Sequence, residues 1–256
     1  MWQVIGASAQ GTSHFRIGSP CQDAHGYHTL ENVGCIASVA DGLGTASKSD
    51  VGSSVVVESA IRNLEERLCT SLPSSVDDWK KVLLEAFANA RQSLELLAQA
   101  NGLPLHDYGT TLIIAAITND WVAIAHIGDG ATIALLEDDS WETISLPQNG
   151  EYANETVPIT SPDAQNLVRL SVHQIKVKAV ALITDGLQRL ALNLATGVPF
   201  KPFFTPFFEA VVRPLNPSET SLQVLDFLNS ERICAKTDDD KTIVIIGKVL
   251  GSTINV

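Results

Sequence analysis

Cysteine is scarce and unpaired in this 256-residue sequence: Cys21, Cys35, Cys69 and Cys234 are scattered, with no C-x-x-C pair. That excludes a disulfide framework and a thiolate zinc knuckle, and it fits a reducing, cytoplasmic setting. Basic residues are also few, 17 Lys and Arg against 29 Asp and Glu, for a formal net charge of −12. The electrostatic footprint of a nucleic-acid or anionic-membrane binder is therefore missing. No apolar run is long enough to span a bilayer; the stretch 112–136 is broken by Asn119, Asp120, His126 and Asp129. The opening MWQVIGASAQ has neither a basic start nor a long apolar segment, so no secretory leader is expected. Linkers, charge blocks and fixed-period repeats are lacking too, and one domain over 1–256 is the expectation.

What is present is ample core material. At 45% hydrophobic and 18% charged residues the chain is not disordered, and a chain of this size can bury about 70% of its extended surface. The first forty residues read as strands over 2–7, 26–30 and 35–40. Val57, Ile61, Leu64 and Leu68 then recur at helical spacing, with Asp50 as the expected cap. After Pro73 a second helix is predicted from Asp77 or Asp78, burying Trp79, Val82, Ala86, Ala90, Leu94 and Leu97 and ending at Asn101-Gly102. From Gly109 the period falls to two, with strands over 112–117, 121–127 and 132–136, then 167–172 and 177–183. Residues 147–165, polar and proline-containing, read as a flap. A helix near 219–228 and a strand over 242–249 close the chain. Short polar turns between the strands favour antiparallel neighbours, and the order predicts an α+β fold with helices outside two sheets.

Three apolar strands end in Asp-Gly: Asp41-Gly42, Asp129-Gly130 and Asp185-Gly186. Asp-Gly is also ordinary turn chemistry. That reading suits Asp129 best, because a strand follows at once and would close a hairpin. Asp41 and Asp185 are followed by glycine-rich or helical sequence instead. A carboxylate at a strand end, beside a glycine that lets a carbonyl approach, suits a hard cation. Asp238-Asp239-Asp240, opening the last strand, and Gln22-Asp23 add two further acidic positions at strand ends.

The ordered segments G-T-S-H (11–14), C-Q-D-A (21–24), V-A-D-G-L-G (39–44), Y-G-T-T-L (108–112), H-I-G-D-G (126–130), L-I-T-D-G (182–186) and D-D-K-T (239–242) resemble the metal-dependent protein phosphatases of the PP2C type, in particular their short bacterial branch. The resemblance runs from residue 6 to residue 249. It implies a four-layer α-β-β-α sandwich of two antiparallel sheets flanked by helix pairs. It also implies two Mn²⁺ or Mg²⁺ ions, with Asp41 and the carbonyl of Gly42, Asp185 and Asp239 as ligands and Asp23 acting nearby through water. Asp129 would be structural. Water activated between the ions would hydrolyse phosphoserine and phosphothreonine without a covalent intermediate, giving Asp41, His14 and Asp23 catalytic parts. Substrates would be phosphoproteins, opposing a cognate Ser/Thr kinase.

The sequence departs from the family pattern at several points. Gln22 stands where Glu is usual, which removes a charge but keeps a hydrogen-bonding group. The usual early arginine is not at its spacing; His14 and Arg16 are the candidates for the substrate phosphate, with His14 preferred. A Thr-x-Asp-His segment serving a third ion is missing, and Glu151 is the candidate substitute. Two alternatives remain: a silent scaffold of the same fold that binds phosphorylated partners, and a metal-dependent phosphatase of small esters.

Overall fold

The computed structural model describes residues 1–148 and 156–249. In chain order these form β1 (Trp2–Ala9), α1 (Thr12–Ile17), β2 (Ala24–Leu30), β3 (Gly34–Ala40), α2 (Ser49–Thr70), α3 (Val76–Asn101), β4 (Leu112–Thr118) and β5 (Val122–Ile127). There follow β6 (Ala131–Leu136), β7 (Trp141–Ser145), β8 (Arg169–His173), β9 (Val177–Ile183), α4 (Lys201–Val211), α5 (Pro217–Leu228) and β10 (Lys241–Lys248), with a few shorter turns of helix and strand between them. One five-stranded sheet has the order β1-β10-β9-β6-β7 and the other β2-β3-β4-β5-β8; every pairing in both is antiparallel.

Alternation along each strand decides which layer a side chain joins. In β4, Leu112, Ile114 and Ala116 pack with α2 and α3, while Ile113, Ala115 and Ile117 face the other sheet. In β10, Val244 and Ile246 enter the space between the sheets, while Ile243 and Ile245 meet Phe204, Phe208 and the other apolar residues of α4 and α5. Two sheets apolar on both faces need helices outside each, and the outcome is the four-layer sandwich: α2 and α3, sheet, sheet, α4 and α5. Among the described residues no helix is long and apolar enough to cross a membrane.

Several local expectations are corrected. Lys48, not Asp50, occupies the position before α2, and Asp50 lies in its first turn, where a carboxylate still complements the helix dipole. α3 starts at Val76 with Ser75 as its cap, the serine hydroxyl accepting the Asp78 N–H at 3.1 Å. The largest correction concerns Gly128-Asp129-Gly130, which does not close a hairpin: β5 and β6 belong to different sheets, and this link crosses from one to the other. α1, β7 and α4 have no counterpart among the elements expected from the sequence. α4 carries Pro202 and Pro206 but buries Phe203, Phe204, Phe207 and Phe208 on one face, and that aromatic burial outweighs the backbone bond Pro206 removes.

Because the sheets are antiparallel throughout, the registers bring particular strand ends to one edge. The carboxyl ends of β1, β3, β5 and β9 meet there with the amino ends of β2, β4, β6 and β10. Asp23, Asp41, Asp129, Asp185 and the run Asp238-Asp239-Asp240 all lie on that edge.

Candidate metal centre

Asp41 leaves β3, Asp129 leaves β5 and Asp185 leaves β9, so the two sheets contribute to one cluster. One carboxylate oxygen from each lies within 4.8 Å of the others. Among the described residues, the Oδ1 atoms of Asp129, Asp185 and Asp23 are buried without a hydrogen-bond partner. Converging hard oxygens with unfilled acceptor capacity are a donor set that fits a divalent cation such as Mg²⁺ or Mn²⁺. Asp129, read from its turn motif as structural, therefore stands beside Asp41 and Asp185.

Each carboxylate is held from behind by its main chain. The Asp41 N–H donates to Thr111 Oγ1 at 2.9 Å, and the Asp41 carbonyl accepts from the Thr111 N–H at 2.8 Å and the Thr110 hydroxyl at 2.9 Å. The two threonines thus clamp the peptide that presents Asp41, and Gly42 donates its N–H to the Gln22 carbonyl at 3.1 Å. A Cβ on Gly186 would lie 1.9 Å from the Asp240 carbonyl oxygen, so the chains carrying Asp185 and Asp239 touch through a position only glycine can fill. Gly128 has φ +109°, and a Cβ there would meet the Thr111 side chain at 2.5 Å. The Thr156 hydroxyl donates to Asp129 Oδ2, and Gln188 Nε2 donates to the Asp129 carbonyl.

Asp240 organises the mouth without joining the cluster. Its buried carboxylate accepts the Gly11 and Gln22 N–H groups, each at 2.5 Å, and lies 2.9 Å from His14 Nδ1. That contact does not meet hydrogen-bond geometry, so it places the imidazole beside the carboxylate without a hydrogen bond between them. Buried Lys241 donates to the carbonyls of Asp239 at 3.2 Å and Gln10 at 3.3 Å, fixing the turn that carries Asp239. His14, Gln22, Asp41, Gly42, Asp129, Asp185 and Asp239 all line one pocket of about 190 Å³. A cleft of about 750 Å³ adjoins it, sharing Asp129, Thr156, Asp185 and Asp239. Asp23 is buried one step further in, accepting the Thr184 hydroxyl at 2.8 Å. Arg16 is exposed on α1 and is not among the lining residues of that pocket. Glu151 and the segment 150–154 lie outside the described residues.

The electrostatics are those of a site short of positive charge. Burial holds the Asp41 carboxyl well above the usual carboxylate range, with repulsion from Asp23 and Asp185 adding to it. Asp23 is raised as well, again mainly by burial, against the donated hydrogen bonds of Thr184 and Thr242. Burial pushes Asp185 up to about 6, opposed by a hydrogen bond from Asp41 and reinforced by Asp129 and Asp239. Asp129 is raised in the same direction by burial. Carboxylates crowded in this way have strong reason to share a cation.

The protein phosphatase 2C family model matches residues 10–229. The chain belongs to the protein phosphatase 2C family. As a member it is a phosphatase, as the ordered motifs implied. Serine/threonine-protein phosphatase 3 of Escherichia coli (strain K12) is 32% identical over 250 residues, covering 95% of this chain and 97% of that protein. Among solved structures, a bacterial serine phosphatase superposes with TM-score 0.66 at 14% identity, over 99% of this chain and 100% of the other. The Staphylococcus aureus phosphatase Stp1 gives 0.66 at 15% identity over 98% and 96%. The Mycobacterium tuberculosis phosphatase PstP/Ppp gives 0.64 at 14% over 97% and 99%. At such low identity the superpositions speak for the α-β-β-α fold of this phosphatase alone.

Asp129, Thr156, Gln188 and Asp240 join the site without having been assigned to it by the sequence motifs. For Asp129 a signal existed, since it shares the strand-end Asp-Gly pattern of Asp41 and Asp185. For Thr156 and Gln188 none did, because their partners are distant in sequence.

Proposed function

We propose that this chain is a Mn²⁺- or Mg²⁺-dependent phosphatase that removes phosphate from phosphoserine and phosphothreonine in proteins. The observation that carries this reading is the convergence of Asp41, Asp129 and Asp185 at one edge of two sheets. Asp41, the Gly42 carbonyl, Asp185 and Asp239 would hold two ions, with Asp23 beside them. Asp129 adds an oxygen that the sequence motifs did not assign. When bound, the ions supply positive charge opposite the phosphate and acidify a water for in-line attack on phosphorus.

The chain's own groups do the rest. Thr110 and Thr111 keep the Asp41 peptide in place before substrate arrives, which is where electrostatic catalysis gains most. The carboxylates Asp23, Asp41, Asp129, Asp185 and Asp239 would carry −5 when ionised, a charge that repels a phosphate dianion until cations return about +4. His14, at the pocket wall, would meet a phosphate oxygen, and the adjoining cleft would seat the peptide around the phosphorylated residue. The four free cysteines and the acidic surface suit a cytoplasmic enzyme opposing a Ser/Thr kinase.

The test is direct. The purified chain should hydrolyse p-nitrophenyl phosphate and phosphothreonine peptides with Mn²⁺ and lose that activity in EDTA. Asp41→Asn or Asp239→Asn should remain folded and lower the rate on the order of 10²-fold. Full activity in EDTA, or in either variant, would overturn the reading.

A further inference from the structure

Residues 156–164 connect the pocket with the core beneath α3. Ile159 is fully buried in the core cluster that holds α2 and α3, and Ala164 is buried with it. The Ile159 N–H donates to the Thr110 carbonyl at 2.9 Å. From α3, Arg91 Nη1 donates to the carbonyls of Ile159 and Ser161, each at 2.5 Å. The strap is therefore fastened at the residue whose side chain clamps Asp41 and at a helix on the outer layer. Pro158 further limits its backbone. Three residues before Ile159, within about 10 Å of extended chain, Thr156 reaches the pocket.

There the Thr156 hydroxyl donates to Asp129 Oδ2, and Asp129 Oδ1 is left buried with no partner among the described residues. Asp129 needs such help. It sits between Gly128 and Gly130, so its chain neighbours offer no side chains to restrict its rotamer. Among the described residues, further hydrogen bonds on this link hold its main chain, from Gln188 to the Asp129 carbonyl and from the Gln148 N–H to the Gly128 carbonyl at 2.9 Å.

We infer that Thr156 is a positioning residue for Asp129, occupying one carboxylate oxygen so that the other is presented to a divalent cation. The inference rests on the metal-dependent reading above. Hydrogen bonds to a ligating carboxylate commonly set metal affinity by about 10- to 100-fold when removed. A hydroxyl suits this role because it saturates one lone pair, brings no charge, and leaves the second oxygen free to bind. Delivery on a strap fastened to Thr110 and Arg91 makes the geometry common to Asp129 and Asp41, because Thr110 also donates to the Asp41 carbonyl.

The experiment compares Thr156→Val, which keeps the shape and removes the donor, with Thr156→Ser, which keeps the donor. Metal-stripped wild type and both variants are titrated calorimetrically with Mn²⁺, and their thermal midpoints are recorded in EDTA and in Mn²⁺. Thr156→Val is expected to bind Mn²⁺ about tenfold more weakly, and its midpoint is expected to fall further below wild type in Mn²⁺ than in EDTA. Thr156→Ser is expected to restore affinity to within about threefold. Wild-type affinity in Thr156→Val, a serine variant as weak as valine, or an equal loss of midpoint in EDTA and in Mn²⁺ would each overturn the role. Wild type that takes up no Mn²⁺ at all would instead bring down the metal-dependent reading on which the role stands.

Discussion

The hydroxyl of Thr184, just past the end of β9, donates at 2.8 Å to Oδ2 of Asp23, which lies just ahead of β2 in the opposite sheet. The same hydroxyl accepts the Thr242 N–H at 3.0 Å. One buried threonine thus joins both sheets to the acidic edge and gives a deeply buried carboxylate one of its few partners.

Replacing that threonine should cost stability. Thr184→Val keeps the volume but strips Asp23 of one donor and leaves the Thr242 N–H unpaired, a loss of about 1–3 kcal/mol for each such group. Thr184→Ser should retain most of the stability. Urea unfolding of the two variants checks this; a valine variant as stable as wild type would mean Asp23 finds another partner.

Metal-free protein should be less stable at neutral pH than in mild acid. The unfolded Asp185 carboxyl ionises near 3.8, whereas in the fold burial raises it to about 6. Between those values the folded state keeps a proton that the unfolded chain has released, so stability falls as pH rises through the window. The gap corresponds to roughly 3 kcal/mol, and Asp23, Asp41 and Asp129 shift in the same direction. Measured in EDTA from pH 4.5 to 7.5, the stability difference between wild type and Asp185→Asn should move against wild type with rising pH. A difference that stays level would contradict the electrostatics. Mn²⁺ should remove most of the effect by supplying the missing charge.

The phosphate contact should separate on KM. His14 lines the pocket and stands beside buried Asp240, while Arg16 is exposed on the same short helix. His14→Ala should raise KM for a phosphothreonine peptide about tenfold, the scale of one hydrogen bond to a charged group. Arg16→Ala should stay within about twofold. The opposite ranking would transfer the contact to Arg16, and no change in either variant would remove both candidates.

Much of the architecture is legible in the sequence because burial leaves a period. The near-continuous apolar runs of 112–117 and 177–183 mark strands buried on both faces, and the three- and four-residue spacing from Val57 to Leu68 marks the helix face that meets a core. α4 escapes such a reading for a physical reason: Pro202 and Pro206 argue locally against a helix, and the burial that overrides them lies in another layer. β7 escapes it because it is an edge strand with one half-exposed face, so its pattern is weak.

Residue order was enough to put acidic side chains at strand ends, to predict antiparallel sheets, and to reveal the family that the motifs resemble. That Asp129 stands with Asp41 and Asp185, attended by Thr156 and Asp240, emerges from the packing of the layers and from nothing shorter in range. Local chemistry makes Gly128-Asp129-Gly130 an ordinary turn whether the next strand folds back or crosses to a second sheet. That choice is made by apolar faces far along the chain, which bury more surface when β6 joins β9 and β7 than a three-residue turn could contribute.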